Sequence, residues 1–367
     1  HIYNFIYYKN SAIYKISNLE VVNIVSITKV YLKNFTVFEE EEIMFSNGIN
    51  VIIGENGTGK THLLKSIYAT CEMSKKSDTD IDIISNYFKA GLSKGEFFTK
   101  ILKPLILKVY ANESKLIEDK RYLMGKVSLN INNSKTIVSD TDEECSYEIG
   151  YPDKEQKSIF IPPKEMLSHS KGFLALNNKY DMPFDKTYID IITNCELPET
   201  RKNSELNKKL LAIISKVIDG KVIYENDTFY VIKTNGLKIE FSLEAEGFRK
   251  FGVLWRLIRN GLIEKETILL WDEPESNINP ELIPVLVDIL IELQRDGVQI
   301  FVATHSYNFA KYFEIKRKDS DRVLYHNLYK TDKGVKSQSA DYFGKLEDNP
   351  IIEADSKLLD EVIKGNF

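Results

Sequence analysis

Residues Gly54 to Thr61 read Gly-Glu-Asn-Gly-Thr-Gly-Lys-Thr and follow directly on the apolar run Ile49-Asn50-Val51-Ile52-Ile53. They match G-x-x-x-x-G-K-[ST] at every fixed position, with a strand pattern before and a helix pattern after. The chemistry of such a segment is the binding of a nucleoside triphosphate with Mg²⁺. Gly54, Gly57 and Gly59 let backbone N–H groups close around phosphates where a Cβ would obstruct. Glu55, Asn56 and Thr58 complete the loop, and His62 starts the helix behind it. Lys60 is expected to reach the β- and γ-phosphates, and the Thr61 hydroxyl to bind Mg²⁺. The helix from His62 to about Ala69 would turn its positive end toward the phosphates.

Two further segments carry groups of the matching kind. Ile268-Leu269-Leu270-Trp271-Asp272-Glu273-Pro274 is an apolar strand ending in two acids. Its carboxyl end is where α/β sheets bind ligands. Asp272 would hold Mg²⁺, directly or through water, and Glu273 would orient and polarise an attacking water. Val302-Ala303-Thr304-His305-Ser306 ends the next strand, one strand–helix–strand unit later. His305 would face the γ-phosphate there and sense its presence.

Together these pieces resemble the ATP-binding-cassette (ABC) type of ATPase, in the branch containing SMC, RecF and the OLD proteins. The resemblance covers residues 27–70 and 240–315. Val30-Tyr31-Leu32-Lys33-Asn34-Phe35 resembles the family's opening strand, which ends near the adenine. Glu275-Ser276-Asn277-Ile278-Asn279-Pro280 resembles its D-loop, with Ser276, Asn277 and Asn279 as the residues of interest. The place of the signature motif, which contacts the partner's ATP in a head-to-tail dimer, is taken by residues 242–250. Ser242, Gly247, Arg249 and Lys250 are the candidates for that contact, either through Ser242 and Gly247 or through the basic pair. This segment departs from the usual Leu-Ser-Gly-Gly-Gln type, and no recognisable Gln loop is present. Pro162-Pro163-Lys164-Glu165-Met166-Leu167 resembles a segment of stand-alone ATPases in bacterial defence loci. Lys164 or Glu165 would approach Mg²⁺ or the γ-phosphate; the alternative is a surface turn.

The elements that must position these groups follow from periodicity. Ile27–Phe35 and Glu42–Phe45 read as strands, and Ser46-Asn47-Gly48 as the turn into the phosphate-loop strand. Residues 72–130 mix helix-like stretches with polar loops. Lys126–Val138 suggests strands with a turn at Asn132-Asn133, Ser139–Tyr151 reads as a polar loop, and Ser158–Pro162 as a short strand. Residues 164–220 read as helices broken at Gly172, Pro183 and Pro198. Lys221–Phe241 reads as hairpin strands, with Asn235-Gly236 as a turn signal. Gly247–Asn260 and Pro280–Arg295 read as helices, Thr267–Trp271 and Val298–Ala303 as buried strands. This alternation predicts an α/β P-loop NTPase fold, an ABC-type ATPase head with a mostly parallel central sheet and an inserted helical/β lid region. The expected division is an N-terminal arm (1–26), a core (27–70 and 240–315), an inserted lid or partner-binding region (71–239) and a tail (316–367).

Bulk composition bounds the rest. The 367 residues are 43% hydrophobic and 28% charged, ordinary for a globular chain, and the formal net charge of -5 offers no support for a nucleic-acid coat. Cys71, Cys145 and Cys195 are scattered without metal-ligand spacing, as expected of free thiols in a cytoplasmic protein. No apolar run approaches the roughly 18 residues that cross a bilayer. No signal-peptide pattern is seen, and His1 in place of Met suggests a trimmed start or an added remnant. Lys311, Lys316, Arg317, Lys318 and Arg322 form the most basic stretch, interleaved with Glu314, Asp319 and Asp321, and read as a solvated helix end.

The expected activity is slow ATP hydrolysis coupled to head-to-tail self-association. No long heptad run joins the two ATPase halves, and no acidic constellation follows His305 that would make a nuclease. The resemblance then implies three uses. One is the sensor or scaffold subunit of an anti-phage system of the Septu, PARIS or OLD-like kind, controlling a separately encoded effector. Another is a RecF-like ATPase acting on DNA. The third is a nucleotide-gated scaffold with negligible turnover.

Overall fold

The computed structural model describes residues 26–76, 86–88, 105–112, 114–123, 128–131, 134–137, 145–180 and 182–365. Residues 1–25 of the expected N-terminal arm and the Asn132-Asn133 turn lie outside the described residues. The chain begins with an antiparallel pair, β1 (Ile27–Phe35) and β2 (Phe38–Met44), then β3 (Ile49–Gly54) and α1 (Lys60–Lys76). Next come β4 (Leu105–Ala111), β5 (Leu116–Leu123), the small hairpin β6 (Ser128–Ile131) and β7 (Ser134–Ile137), β8 (Cys145–Pro152) and β9 (Ser158–Ile161). Helices α2 (Phe173–Tyr180), α3 (Lys186–Glu196) and α4 (Glu205–Val217) lead to a three-stranded sheet of β10 (Gly220–Glu225), β11 (Thr228–Lys233) and β12 (Lys238–Glu240). The last part runs α5 (Glu246–Arg259), β13 (Ile268–Asp272), α6 (Ile283–Arg295), β14 (Gln299–Ala303), α7 (Tyr307–Lys316), β15 (Val323–Thr331), β16 (Gly334–Ala340) and α8 (Pro350–Ile363).

The central sheet has the order β16-β15-β3-β14-β13-β9 and is parallel from β15 to β9, with β16 antiparallel at the edge. Strands β3, β13 and β14 are buried at every position. Sheets covered on both faces need such near-continuous apolar runs rather than alternation. One face packs Ile52, Leu270, Phe301 and Ala303 against Leu63, Leu64 and Ile67 of α1. The other packs Val51, Leu269, Ile300 and Val302 against α5, α6 and α7. The expected mostly parallel α/β sheet is therefore what the chain forms.

A second sheet, in the order β2-β1-β4-β8-β5, covers the α1 side. Gln299 at the start of β14 fastens it to the central sheet. Its amide donates to Ile27 O and Ser46 O, and its side-chain oxygen accepts from Ile27 N, all at 2.8 Å.

Three expectations are amended by the structure. Ser139–Tyr151, read as a loop, contains strand β8, whose polar residues are matched by neighbours: Lys108 on β4 pairs with Glu118 on β5 at 2.6 Å and with Glu148 on β8. The stretch 71–239, expected as an inserted lid or partner-binding region, also supplies core strands: β4 and β8 complete the sheet of β1, and β9 completes the central one. The tail from 316 is likewise part of the core, since β15 pairs with the phosphate-loop strand from Val323↔Ile49 to Leu328↔Gly54.

Strand β15 was hard to see because it buries His326 and Asn327. Each is satisfied inside: Asn327 Nδ2 donates to Asp348 O at 3.1 Å, and His326 lies between Ser339 Oγ (Nδ1, 2.7 Å) and Asn50 Oδ1 (Nε2, 3.2 Å). Asn50 Oδ1 also accepts from Ser46 N, so it is the acceptor and His326 Nε2 carries the proton. Burial pushes the His326 pKa down from 6.5 to about 3, so the ring is neutral in the folded chain. The unfolded chain binds a proton there at higher pH than the folded one. Stability from this site is complete above about pH 6.5 and is lost as pH falls toward about 3. We expect the thermal midpoint to drop between about pH 7 and pH 4.5, and the drop to be smaller in His326→Gln, as melting followed by circular dichroism would show.

Candidate functional site

The site is built by strands that end together. Register places Asp272 beside Ala303 and Ala303 beside Ile52, so the residues after β3, β13 and β14 emerge on one edge. There they line a cavity of about 300 Å³ with Val37, Asn56, Gly57, Gly59, Lys60, Thr61, His62, Asp272, Glu273 and His305.

The phosphate loop is already closed. Thr58 Oγ1 donates to Glu55 O at 2.9 Å, and Lys60 Nζ donates to Gly54 O and Glu55 O at 2.9 Å each. Gly54 has φ +147°, and a Cβ there would lie 2.3 Å from Leu328 O on β15. Gly59 has φ +86°, and its Cβ would lie 2.6 Å from Val37 in the β1–β2 turn. Both glycines are required by backbone shape and by close approach. The end of the opening strand thus meets the loop through Val37.

Thr61 Oγ1 donates to Asp272 Oδ2 at 2.7 Å, joining residues 211 apart in sequence. Asp272 is 2% exposed. Burial pushes its carboxyl up to about 6, a rise the Thr61 hydroxyl opposes. Burial also pushes Lys60 down to about 8, opposed by Asp272, Glu273 and Glu275. Two oxygen donors of this kind suit Mg²⁺, which takes one or two protein oxygens and completes its shell with phosphate and water. Among the described residues no group of three or more His, Cys, Asp or Glu side chains forms an all-protein metal cage.

Glu273 is half-exposed to the cavity, and its Oε1 lies 3.9 Å from His305 Nε2. His305 is pushed below its usual value, first by burial and then by Lys60. His62 packs edge-on against Phe88 with ring centroids 5.6 Å apart, and its buried Nδ1 has no hydrogen-bond partner among the described residues.

The expected partner-facing segment divides in two. Ser242 and Gly247 stay near the surface at the N-terminal end of α5. Lys250 is instead buried at 2% exposure and donates to Glu273 O at 2.8 Å and to Ser276 Oγ. Arg249 Nε lies 3.3 Å from Glu165 Oε2, and its Nη1 donates to Ser242 O. The basic pair is thus bonded within its own chain, Lys250 to Glu273 and Ser276 and Arg249 to Glu165 and Ser242. Glu165 does not face the cavity. Its carboxylate accepts from Leu167 N and Ser168 N and caps the turn after β9.

In the D-loop, Ser276 Oγ donates to Glu273 O at 3.0 Å, Asn277 has φ +60°, and Asn279 caps the turn before α6 by accepting from Glu281 N. Two roles had escaped the sequence. Glu275 accepts from Thr304 Oγ1 (2.5 Å) and His305 N (3.3 Å), tying the acid loop to the His305 segment. Lys65 of α1 pairs with buried Asp185 at 2.6 Å, the residue that caps α3. Lys65 sits one turn past Thr61 and was legible as the inward face of α1. The basic stretch is largely occupied: Lys311 pairs with Glu314, Lys316 with Asp288, and Arg317 donates to main-chain oxygens. A larger cavity of about 600 Å³ lies beside it, at the opposite edge of the central sheet, away from the acids and the phosphate loop.

The fold and this arrangement define an α/β P-loop NTPase. A family model described as "AAA domain, putative AbiEii toxin, Type IV TA system" matches residues 138–310. The DNA replication and repair protein RecF of Ligilactobacillus salivarius is 24% identical over 181 residues, covering 46% of this chain and 48% of that protein. RecF of Cytophaga hutchinsonii is 47% identical over 68 residues, covering 17% and 18%. The chain therefore spans at most about half the length of these curated relatives. Among solved structures, the Smc head domain of Pyrococcus furiosus, bound to the C-terminal domain of ScpA, aligns with a TM-score of 0.47 at 13% identity, over 92% of this chain and 99% of that one. No described helix is long and apolar enough to cross a membrane.

If Thr61 and Lys60 hold the nucleotide end of the cavity, Thr61→Ala should weaken Mg²⁺-dependent ATP binding about tenfold while leaving metal-free binding nearly unchanged. Titration of a fluorescent ATP analogue with and without Mg²⁺ checks this.

Proposed function

We propose that this chain binds ATP with Mg²⁺ and hydrolyses it slowly, as a switch that associates head-to-tail with a second copy. The observation that carries the reading is the Thr61–Asp272 hydrogen bond at 2.7 Å, with Lys60 and Glu273 lining the same cavity. The phosphate-loop amides and Lys60 bind and orient the β- and γ-phosphates. Thr61 and Asp272 hold Mg²⁺, which when bound neutralises charge on the transferred phosphoryl group. Glu273 orients the attacking water and accepts its proton, and His305 contacts the γ-phosphate. Ser242 and Gly247, at the N-terminal end of α5, offer a hydroxyl and N–H groups to the partner's nucleotide. Hydrolysis removes that contact and loosens the pair.

For the use of the switch, we place first an anti-phage or toxin–antitoxin assembly in the cytoplasm, with the chain as sensor or scaffold and a separate effector protein as partner. The description of the matched family, which names a type IV toxin–antitoxin system, supports the toxin–antitoxin part of this reading. The RecF relatives support a second reading, an ATPase that acts on DNA. A scaffold with negligible turnover is the third.

Glu273→Gln should keep ATP affinity within about threefold, lower turnover about a hundredfold, and leave an ATP-dependent dimer that persists in size-exclusion chromatography with light scattering. Turnover at the wild-type rate would remove Glu273 as the base. Wild-type phosphate release no faster than in protein-free buffer would leave the scaffold reading. An ATP-dependent shift of duplex DNA would move the assignment to the second reading.

A further inference from the structure

A lysine that is 2% exposed needs partners, because an ammonium taken out of water without them is strongly disfavoured. Lys250 on α5 spends its charge on one short stretch of backbone. Its Nζ donates to Glu273 O at 2.8 Å and to Ser276 Oγ, while Ser276 Oγ donates to the same Glu273 oxygen at 3.0 Å. Glu273 has φ +48°, a left-handed conformation that a residue with a side chain adopts only at a cost. The stretch is pressed from the same side by the start of α5, where a Cβ on Gly247 would lie 2.8 Å from Asn277 O. From the other side Glu275 grips Thr304 and the His305 N–H. Burial pushes the Lys250 ammonium down to about 8, and the carboxylates of Glu275 and Glu273 oppose that shift.

We propose that Lys250 is a positioning residue for hydrolysis: it fixes the Glu273 main chain in its left-handed form, so that the carboxylate faces the cavity. The inference rests on Glu273 being the base. It adds that the seating of α5, whose N-terminal end carries Ser242 and Gly247, conditions water activation in the same chain. A displacement of α5 would pull on the Glu273 carbonyl and, through Ser276, on the D-loop. The residue type matters because only a long, charged donor reaches a carbonyl and a hydroxyl together from the helix. Charge-assisted bonds are also the stronger ones.

The test is a mutant cycle on the full chain. Turnover is followed by phosphate release, and binding by a fluorescent ATP analogue. Lys250→Met should lower kcat by about thirtyfold and leave ATP affinity within about threefold. Ser276→Ala, a milder change should Lys250→Met fail to fold, should lower kcat by about threefold to tenfold with affinity unchanged. In the Glu273→Gln background, Lys250→Met should cost no more than about twofold further, because a positioned base already removed has nothing left to lose. A merely structural lysine would give the same fold-loss in both backgrounds. Full additivity, wild-type turnover in Lys250→Met or in Ser276→Ala, or a loss of affinity equal to the loss of rate would each overturn the inference. If wild-type phosphate release is no faster than in protein-free buffer, the hydrolysis reading falls first and this inference falls with it; if Glu273→Gln turns over at the wild-type rate, Glu273 is not the base and the inference falls alone.

Discussion

The structure hangs on the common ending of three parallel strands. Because β3, β14 and β13 pair in register, the phosphate loop, His305 and the Asp272–Glu273 pair leave the sheet on one line. The bond from Thr61 to Asp272 is the visible result. A slip of one residue in any of the three would turn its buried side chains to the opposite face and carry its terminal group away from the others. Burial on both faces makes such a slip costly, so packing of apolar side chains sets the placement of polar ones. The same burial shifts Asp272 upward and Lys60 downward, leaving both poised for a ligand that supplies the missing opposite charge.

Around this edge the polar residues fall into groups that face the cavity and groups that hold the first in place. Asp272, Glu273, Lys60, Thr61, His62 and His305 line it. Lys250, Ser276 and Glu275 do not, yet each is bonded to the backbone of a residue that does, and Thr304 in turn holds Glu275. Arg249 and Glu165 extend the second group toward the turn after β9. The residues that hold the acid loop come from α5, the D-loop itself and the segment after β14.

Much of this was legible in the sequence, and the reasons differ from place to place. The loop from Gly54 to Thr61 has a pattern that backbone geometry dictates, and the strands ending at Asp272 and Ala303 are unbroken apolar runs. Those features depend on local sequence alone. Strand β8 was missed because Lys108, Glu118 and Glu148 pair across strands, and a polar residue matched by a distant one looks like a loop residue. Strand β15 was missed because His326 and Asn327 are buried with partners far away in sequence. Lys250 was misplaced for a similar reason: nothing local says whether a lysine near a helix start points outward or folds back on Glu273. What sequence pattern could not supply, in each case, was the identity of a long-range partner.

The position of β3 has a further consequence. Its neighbours in the sheet are β14 and β15, which lie some 250 residues later in the chain. During synthesis the phosphate loop therefore leaves the ribosome well before the strands that flank it, β14 and β15. Pairings this distant in sequence form slowly, since the loop-closure entropy must be met before any contact rewards it. The pairings that flank the phosphate loop thus wait until β14 and β15 have been made.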